Sequence, residues 1–205
     1  PVIQTAEIIA AKPSDDDSFQ SVAEQNFTPP VPLTVADLEE RQLVWGYYAE
    51  SPLASNRIAL SRNQAAEGRS ISVGSTSYGL YRADAEDGTR AVNNELAIVG
   101  FQLSSAQAVY NSGTGIVAMM VRDGNLDINF QDNSFSTALK LNSDPTGPVD
   151  FAATGGLFDG GFLRALGATQ SVRGAISYDA SEAGYHFEKE LPSGTVSGLT
   201  LWDSK

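Results

Sequence analysis

No cysteine occurs in the 205 residues, and histidine occurs once, at His186. The first absence removes disulfides, zinc–thiolate sites and thiol nucleophiles together. The second leaves a Ser-His-Asp arrangement with a single candidate base. Also missing is any apolar run of about 18 residues, so no helix is expected to span a bilayer. Basic residues are scarce: 13 Lys and Arg stand against 25 Asp and Glu, a net charge of −12 at pH 7. Such a field repels the phosphates of nucleic acid and of anionic lipid, and it favours either plain solubility or a basic partner. No signal peptide is visible. The chain opens on Pro1 rather than methionine, so we expect a mature or excised fragment whose targeting segment has been lost.

What is present is a rhythm of turns and short strands. Nineteen glycines and nine prolines lie among short apolar runs, which suits many turns. The clearest stretch is residues 116–141. Asp123-Gly124 has the composition of a tight hairpin turn, which would set Val121 opposite Leu126, Met119 opposite Ile128 and Val117 opposite Phe130. A second loop at Gln131-Asp132-Asn133-Ser134 would set Phe130 opposite Phe135, Ile128 opposite Thr137 and Leu126 opposite Leu139. All the apolar residues then share one face, an agreement that a slip of one residue would destroy.

The remainder extends this sheet. Residues 1–33 read as an extended acidic and proline-rich leader, with Asp15-Asp16-Asp17 as a solvated charge run and Pro29, Pro30 and Pro32 donor-poor. Residues 34–205 read as a single barrel-like domain. Thr34 is a suitable N-cap for a helix through Glu40, and residues 61–67 permit a second that Gly68 would stop. Leu43-Val44-Trp45-Gly46-Tyr47-Tyr48 is an aromatic strand, and residues 70–73 and 77–82 are two short ones. Val99, Phe101 and Leu103 alternate in one phase while Ala106, Ala108 and Tyr110 alternate in the other. A bulge near Ser104-Ser105 would reconcile them. Tyr110 would then face Val117, and Ala108 would face Met119. Gly155-Gly156 and Gly160-Gly161 read as bends where the wall turns a corner. In a last hairpin around Pro192-Ser193-Gly194, Leu191 would face Thr195, Phe187 would face Leu199 and Tyr185 would face Leu201. From residue 96 onward there are about eight strands, and the economical closure is an all-β, up-and-down antiparallel β-barrel. A two-sheet sandwich is the alternative.

Several runs occur in a telling order: Leu43-Val44-Trp45-Gly46-Tyr47-Tyr48, Ser77-Tyr78-Gly79-Leu80-Tyr81-Arg82, Gly124-Asn125-Leu126-Asp127-Ile128-Asn129-Phe130, Val172-Arg173-Gly174-Ala175-Ile176-Ser177 and Val196-Ser197-Gly198-Leu199-Thr200-Leu201-Trp202. Over residues 41–202 they resemble the C-terminal β-rich region of exported bacterial proteins that carry a FecR-type domain upstream. More distantly, the strand–glycine–strand rhythm resembles the barrels of transferrin-binding-protein-B-like surface lipoproteins. The resemblance implies export, a β-rich fold and no catalytic residues to transfer. The upstream FecR-type segment is itself missing from this chain.

Candidate chemistry is sparse. Trp45, Tyr47, Tyr48, Tyr78 and Tyr81 form an aromatic concentration able to stack on a sugar or planar ligand, though aromatics are equally at home in a core. Tyr185 and His186 are legitimate axial ligands for haem. By alternation His186 points away from the core face, as a surface histidine. The acids gather in turns, where Asp and Asn serve ordinary backbone needs. No catalytic residue, metal ligand or cofactor is assigned. The leading expectation is a non-enzymatic, extracytoplasmic barrel module of a larger periplasmic, cell-surface or secreted protein, acting in binding or assembly. Its partner would be another protein or a small hydrophobic ligand, not nucleic acid. A lipocalin-like carrier of a hydrophobic or haem-like ligand is the alternative, and a hydrolase the weakest.

Overall fold

The computed structural model describes residues 20–21, 35–47, 60, 62–75, 78–84 and 97–205. In chain order these form β1 (Gln20–Ser21), α1 (Val35–Glu40), β2 (Leu43–Tyr47), α2 (Arg62–Ala66), β3 (Arg69–Gly74), β4 (Tyr78–Ala83), β5 (Ile98–Asn111), β6 (Ile116–Asn129), β7 (Ser134–Ser143), β8 (Gly147–Phe158), β9 (Phe162–Leu166), β10 (Gln170–Ile176), β11 (Glu182–Leu191) and β12 (Gly194–Ser204). The Asp15-Asp16-Asp17 run, the three prolines of the leader, Thr34 and Tyr48 lie outside the described residues. No described helix is long and apolar enough to cross a membrane.

Strands β5 to β12 each pair antiparallel with the next, and β12 returns to β5, closing an eight-stranded barrel. Alternation sends one side chain of every pair inward. Phe101, Phe130, Phe151, Phe187, Tyr185 and Trp202 are all fully buried, and with Leu126, Ile128 and Leu139 they fill the interior. Fully burying one such side chain stabilises by about 1.5–3 kcal/mol, so the filled interior is the main source of the barrel's stability.

Several registers follow the sequence. Tyr110 pairs with Val117 and Ala108 with Met119. The phase break in β5 is a bulge at Ser104: Leu201 pairs with Ser105 but the next residue, Trp202, pairs with Leu103.

Three expectations are overturned. Asp123-Gly124 is no turn; β6 continues through it with a bulge between Val121 and Asp123, and Leu126 and Ile128 pair with Phe101 and Val99 of β5. The glycine is needed there for room, because a Cβ at position 124 would lie 2.8 Å from both the Trp202 indole and Leu139. The β6–β7 register is displaced by two residues, pairing Ile128 with Phe135 and Leu126 with Thr137, which preserves the faces. The last hairpin is displaced by one, which does not. Leu191 pairs with Gly194, Phe187 with Gly198 and Tyr185 with Thr200. Leu199 and Leu201 therefore face outward.

They face outward because a second layer covers them. Strands β1, β2, β4 and β3, in that order, form a small antiparallel sheet. One face of it lays Leu43, Trp45, Tyr78 and Leu80 on Ala175, Leu199 and Leu201 of the barrel. The opposite face packs Val44 and Tyr81 against Leu38 of α1 and Ala65 of α2. Arg69 holds both short helices by donating to carbonyls at their C-terminal ends, Leu38 and Glu39 on one and Gln64 and Ala65 on the other. Gly68, at φ 64°, ends α2 as its composition requires. Gly160 and Gly161, at φ 76° and 78°, make the β8–β9 turn, whereas Gly155 and Gly156 lie within β8.

Candidate functional site

The candidate residues that the structure describes do not meet in one place. Tyr185 points into the barrel, where its hydroxyl lies 2.7 Å from that of Thr137 and its ring stacks on Trp202 with centroids 5.7 Å apart. Burial pushes its phenol far above the usual range. His186, the next residue, points outward, so the two lie on opposite sides of the wall and cannot share one haem. The Tyr78 ring covers His186 at 4.3 Å, nearly parallel. His186 is thus partly buried under the small sheet rather than free on the surface. Burial, with Arg173 adding to it, holds the imidazole down at about 3. Burial and nearby Glu188 push the Tyr78 phenol up to about 12, against Arg173. Trp45 is fully buried between the same two layers, and Tyr81 lies on the far face of the small sheet. Tyr48 and the side chain of Tyr47 fall outside the described residues.

The polar groups beside this interface form a latch. Glu182, at the start of β11, accepts the backbone N–H of Gln42 at 3.1 Å and of Leu43 at 2.8 Å, tying the small sheet to the barrel. Arg41 donates to Asp203 at 2.5 Å and lies 3.6 Å from Glu182. Burial raises the Glu182 carboxyl above its ordinary value, against Arg41 and the two amides. Asp179 accepts from Ser177, Ser181 and the Gln42 amide. Burial alone would raise it, but these hydrogen bonds outweigh burial and hold it at about 2. These carboxylates hold elements of the two layers together.

A different feature lies on the outer wall next to β3. Val73, Phe158, Phe162, Leu163, Arg164, Arg173 and Gly174 line an open groove of about 480 Å³. Phe158 is 54 % exposed and Phe162 36 %, values that set them apart from the fully buried phenylalanines inside. Arg164 of β9 and Arg173 of β10 are directly paired residues, both exposed, and neither has an acidic partner within salt-bridge distance among the described residues. Arg82 packs on the Phe162 ring beside it. It reaches from β4 to the carbonyls of Gly160 and Ile176, with its guanidinium 5.2 Å from the Phe162 ring centroid and 4.5 Å from that of Tyr178.

Sequence reasoning missed this arginine pair. Each arginine alternates with buried neighbours, as in Leu163-Arg164-Ala165, and looks like an ordinary solvated residue. Only the β9–β10 register sets them side by side.

No family model matches the chain, and no curated protein matches it. Among solved structures it is similar to a mutant of transferrin binding protein B from Haemophilus parasuis Hp5, at 14% identity and TM-score 0.46, covering 80% of this chain and 33% of that one. It is similar to isotype 1 transferrin binding protein B of serogroup B Neisseria meningitidis, at 13% identity and TM-score 0.46, covering 94% and 36%. It is also similar to the N-lobe domain of lactoferrin binding protein B of Moraxella bovis, at 8% identity and TM-score 0.40, covering 92% and 99%. The chain spans about a third of the length of the transferrin binding proteins. At these identities and scores no function passes from those proteins to this chain.

Proposed function

We propose that the chain is a non-enzymatic, extracytoplasmic binding module of a larger exported or surface-associated protein, and that it works through the outside of its barrel. The observation that carries this reading is the contrast between the two sides of the wall. Inside, six aromatic rings occupy the space in which a lipocalin-like barrel would keep its cargo. Outside, exposed phenylalanines flank two arginines that lack a described acidic partner. Export, and kinship with FecR-domain-containing proteins, rest on the sequence resemblance over residues 41–202. Fusing a reporter enzyme that is active only outside the cytoplasm to the full-length protein tests export. Activity is expected, and a silent, stable fusion would overturn that part. Replacing Phe158 by Ser tests the face, since partner binding should fall while the fold persists.

A further inference from the structure

We infer that the Arg164–Arg173 groove binds an extended, acidic polypeptide segment, whose carboxylates meet the two guanidinium groups while its apolar side chains rest on Phe158 and Phe162. This rests on the outer-wall reading above and names its ligand.

Charge favours such a ligand. Like charges directly opposite each other across an antiparallel pair are destabilising, and Arg164 and Arg173 are such a pair. A carboxylate between them relieves the repulsion and takes charge-assisted, bidentate hydrogen bonds, which is the geometry guanidinium groups match best. The pair is also a local positive spot on a chain of net charge −12. That overall field repels long polyanions such as nucleic acid and anionic membrane, but a short segment with a few carboxylates can settle on the spot.

Backbone geometry favours an extended one. Strand β3 is the outermost strand of the small sheet, with no described strand on its free side. A bulge between Ile71 and Val73 puts them opposite Tyr81 and Leu80, which lie on opposite faces of the sheet. Val73 is thereby aimed at the groove while Ile71 is left 51 % exposed on the other face. An incoming strand can bond to the free edge of β3, and every second side chain then drops toward the groove. Small-molecule sites bury most of their ligand's surface, and this groove is open.

The test uses the 205-residue chain and a fluorescein-labelled, end-blocked hexapeptide alternating Asp with Phe or Val. Fluorescence anisotropy should show saturable binding. Affinity should fall at least tenfold for the same peptide with Asn in place of Asp, at least tenfold for Arg164→Gln/Arg173→Gln, and several-fold on raising salt from 50 to 500 mM. A thermal melt confirms that each variant is folded. Equal affinity for the Asn peptide, or competition by inorganic phosphate as effective as that by unlabelled peptide, would overturn the acidic polypeptide. Loss of binding in Phe158→Ser with normal binding in the arginine double variant would overturn the ligand chemistry but keep the outer face. Unchanged affinity in both variants would overturn the inference and the outer-wall reading together. A tenfold gain on changing Asp15, Asp16 and Asp17 to Asn would show that the chain's own acidic run occupies the groove, which would overturn a separate partner.

Discussion

The Trp202 indole of β12 occupies the place where a side chain at residue 124 would begin, 2.8 Å from the position of the missing Cβ. Leu139 approaches equally closely, but its methyl end can turn aside and the fused ring cannot. Gly124→Ala should therefore cost about 1–3 kcal/mol through overpacking. Denaturant melts followed by tryptophan fluorescence check this. The cost should shrink when Trp202 is also replaced by Leu.

The interior-to-exterior alternation can be tested at neighbouring residues. Ile128 is fully buried, so Ile128→Asp would bury an unpaired charge and should unfold or aggregate the protein. Asn129 points outward, yet its amide donates to Asp132 at 2.7 Å and its oxygen accepts the N–H groups of Gln131 and Asp132. Asn129→Asp should cost about 1 kcal/mol, because it replaces one hydrogen bond by a pair of like charges. Equal losses in paired denaturant melts would contradict the register.

The two flanking arginines should set binding against stability. Arg164→Glu would turn a repulsive cross-strand pair into an attractive one and should stabilise the fold by about 0.2–1 kcal/mol. It should also abolish binding of the acidic peptide. A melt and an anisotropy titration on the same sample read both effects.

Stability depends on pH through three buried or hydrogen-bonded groups. His186 is held at about 3 in the folded chain, below its ordinary value near 6.5. Between these values the unfolded chain takes a proton that the folded chain refuses. Stability from this group is present above about pH 6.5 and is lost as pH falls toward 3. Asp179, held at about 2, acts in the same direction lower down, with its stability lost as pH falls from about 4 through 2. Glu182 is raised, so it works oppositely: its contribution is present at low pH and is lost as pH rises through its folded value. His186→Phe should keep the stack on Tyr78 and flatten the melting-temperature profile between pH 6.5 and 3. Because His186 is the only histidine, its single imidazole NMR signal should show no titration above pH 5.

Haem should not bind. Tyr185 and His186 lie on opposite sides of the wall, and the interior is filled. An absorbance titration is expected to give no saturable Soret change. A change lost in Tyr185→Phe would revive the carrier reading.

Much of the barrel was legible because its strands obey one rule, apolar inward and polar outward. That rule locates the bulge at Ser104 from a change of phase alone, and it sets Tyr110 opposite Val117 and Ala108 opposite Met119. It failed where its premise fails. β12 is apolar on both faces, Val196 and Trp202 inward, Leu199 and Leu201 outward beneath the small sheet. Alternation cannot choose between them, and it sets the final hairpin one residue out of register. Gly124 misled for a related reason. Glycine answers either a positive φ or a close approach, and the residue that approaches lies 78 positions away in sequence. The aromatic concentration was visible at once, but Trp45, Tyr78 and Tyr81 are spent on holding two layers together. The outer groove was hidden because two arginines nine residues apart become neighbours only through the β9–β10 register.

The claim that the barrel is filled and works from outside is tested most directly by amide chemical-shift mapping of the whole chain with the alternating acidic peptide. Shifts should concentrate at Val73, Phe162, Arg164 and Arg173 and leave Phe151, Phe187 and Trp202 undisturbed. Shifts centred on those three interior residues, with the groove silent, would contradict it.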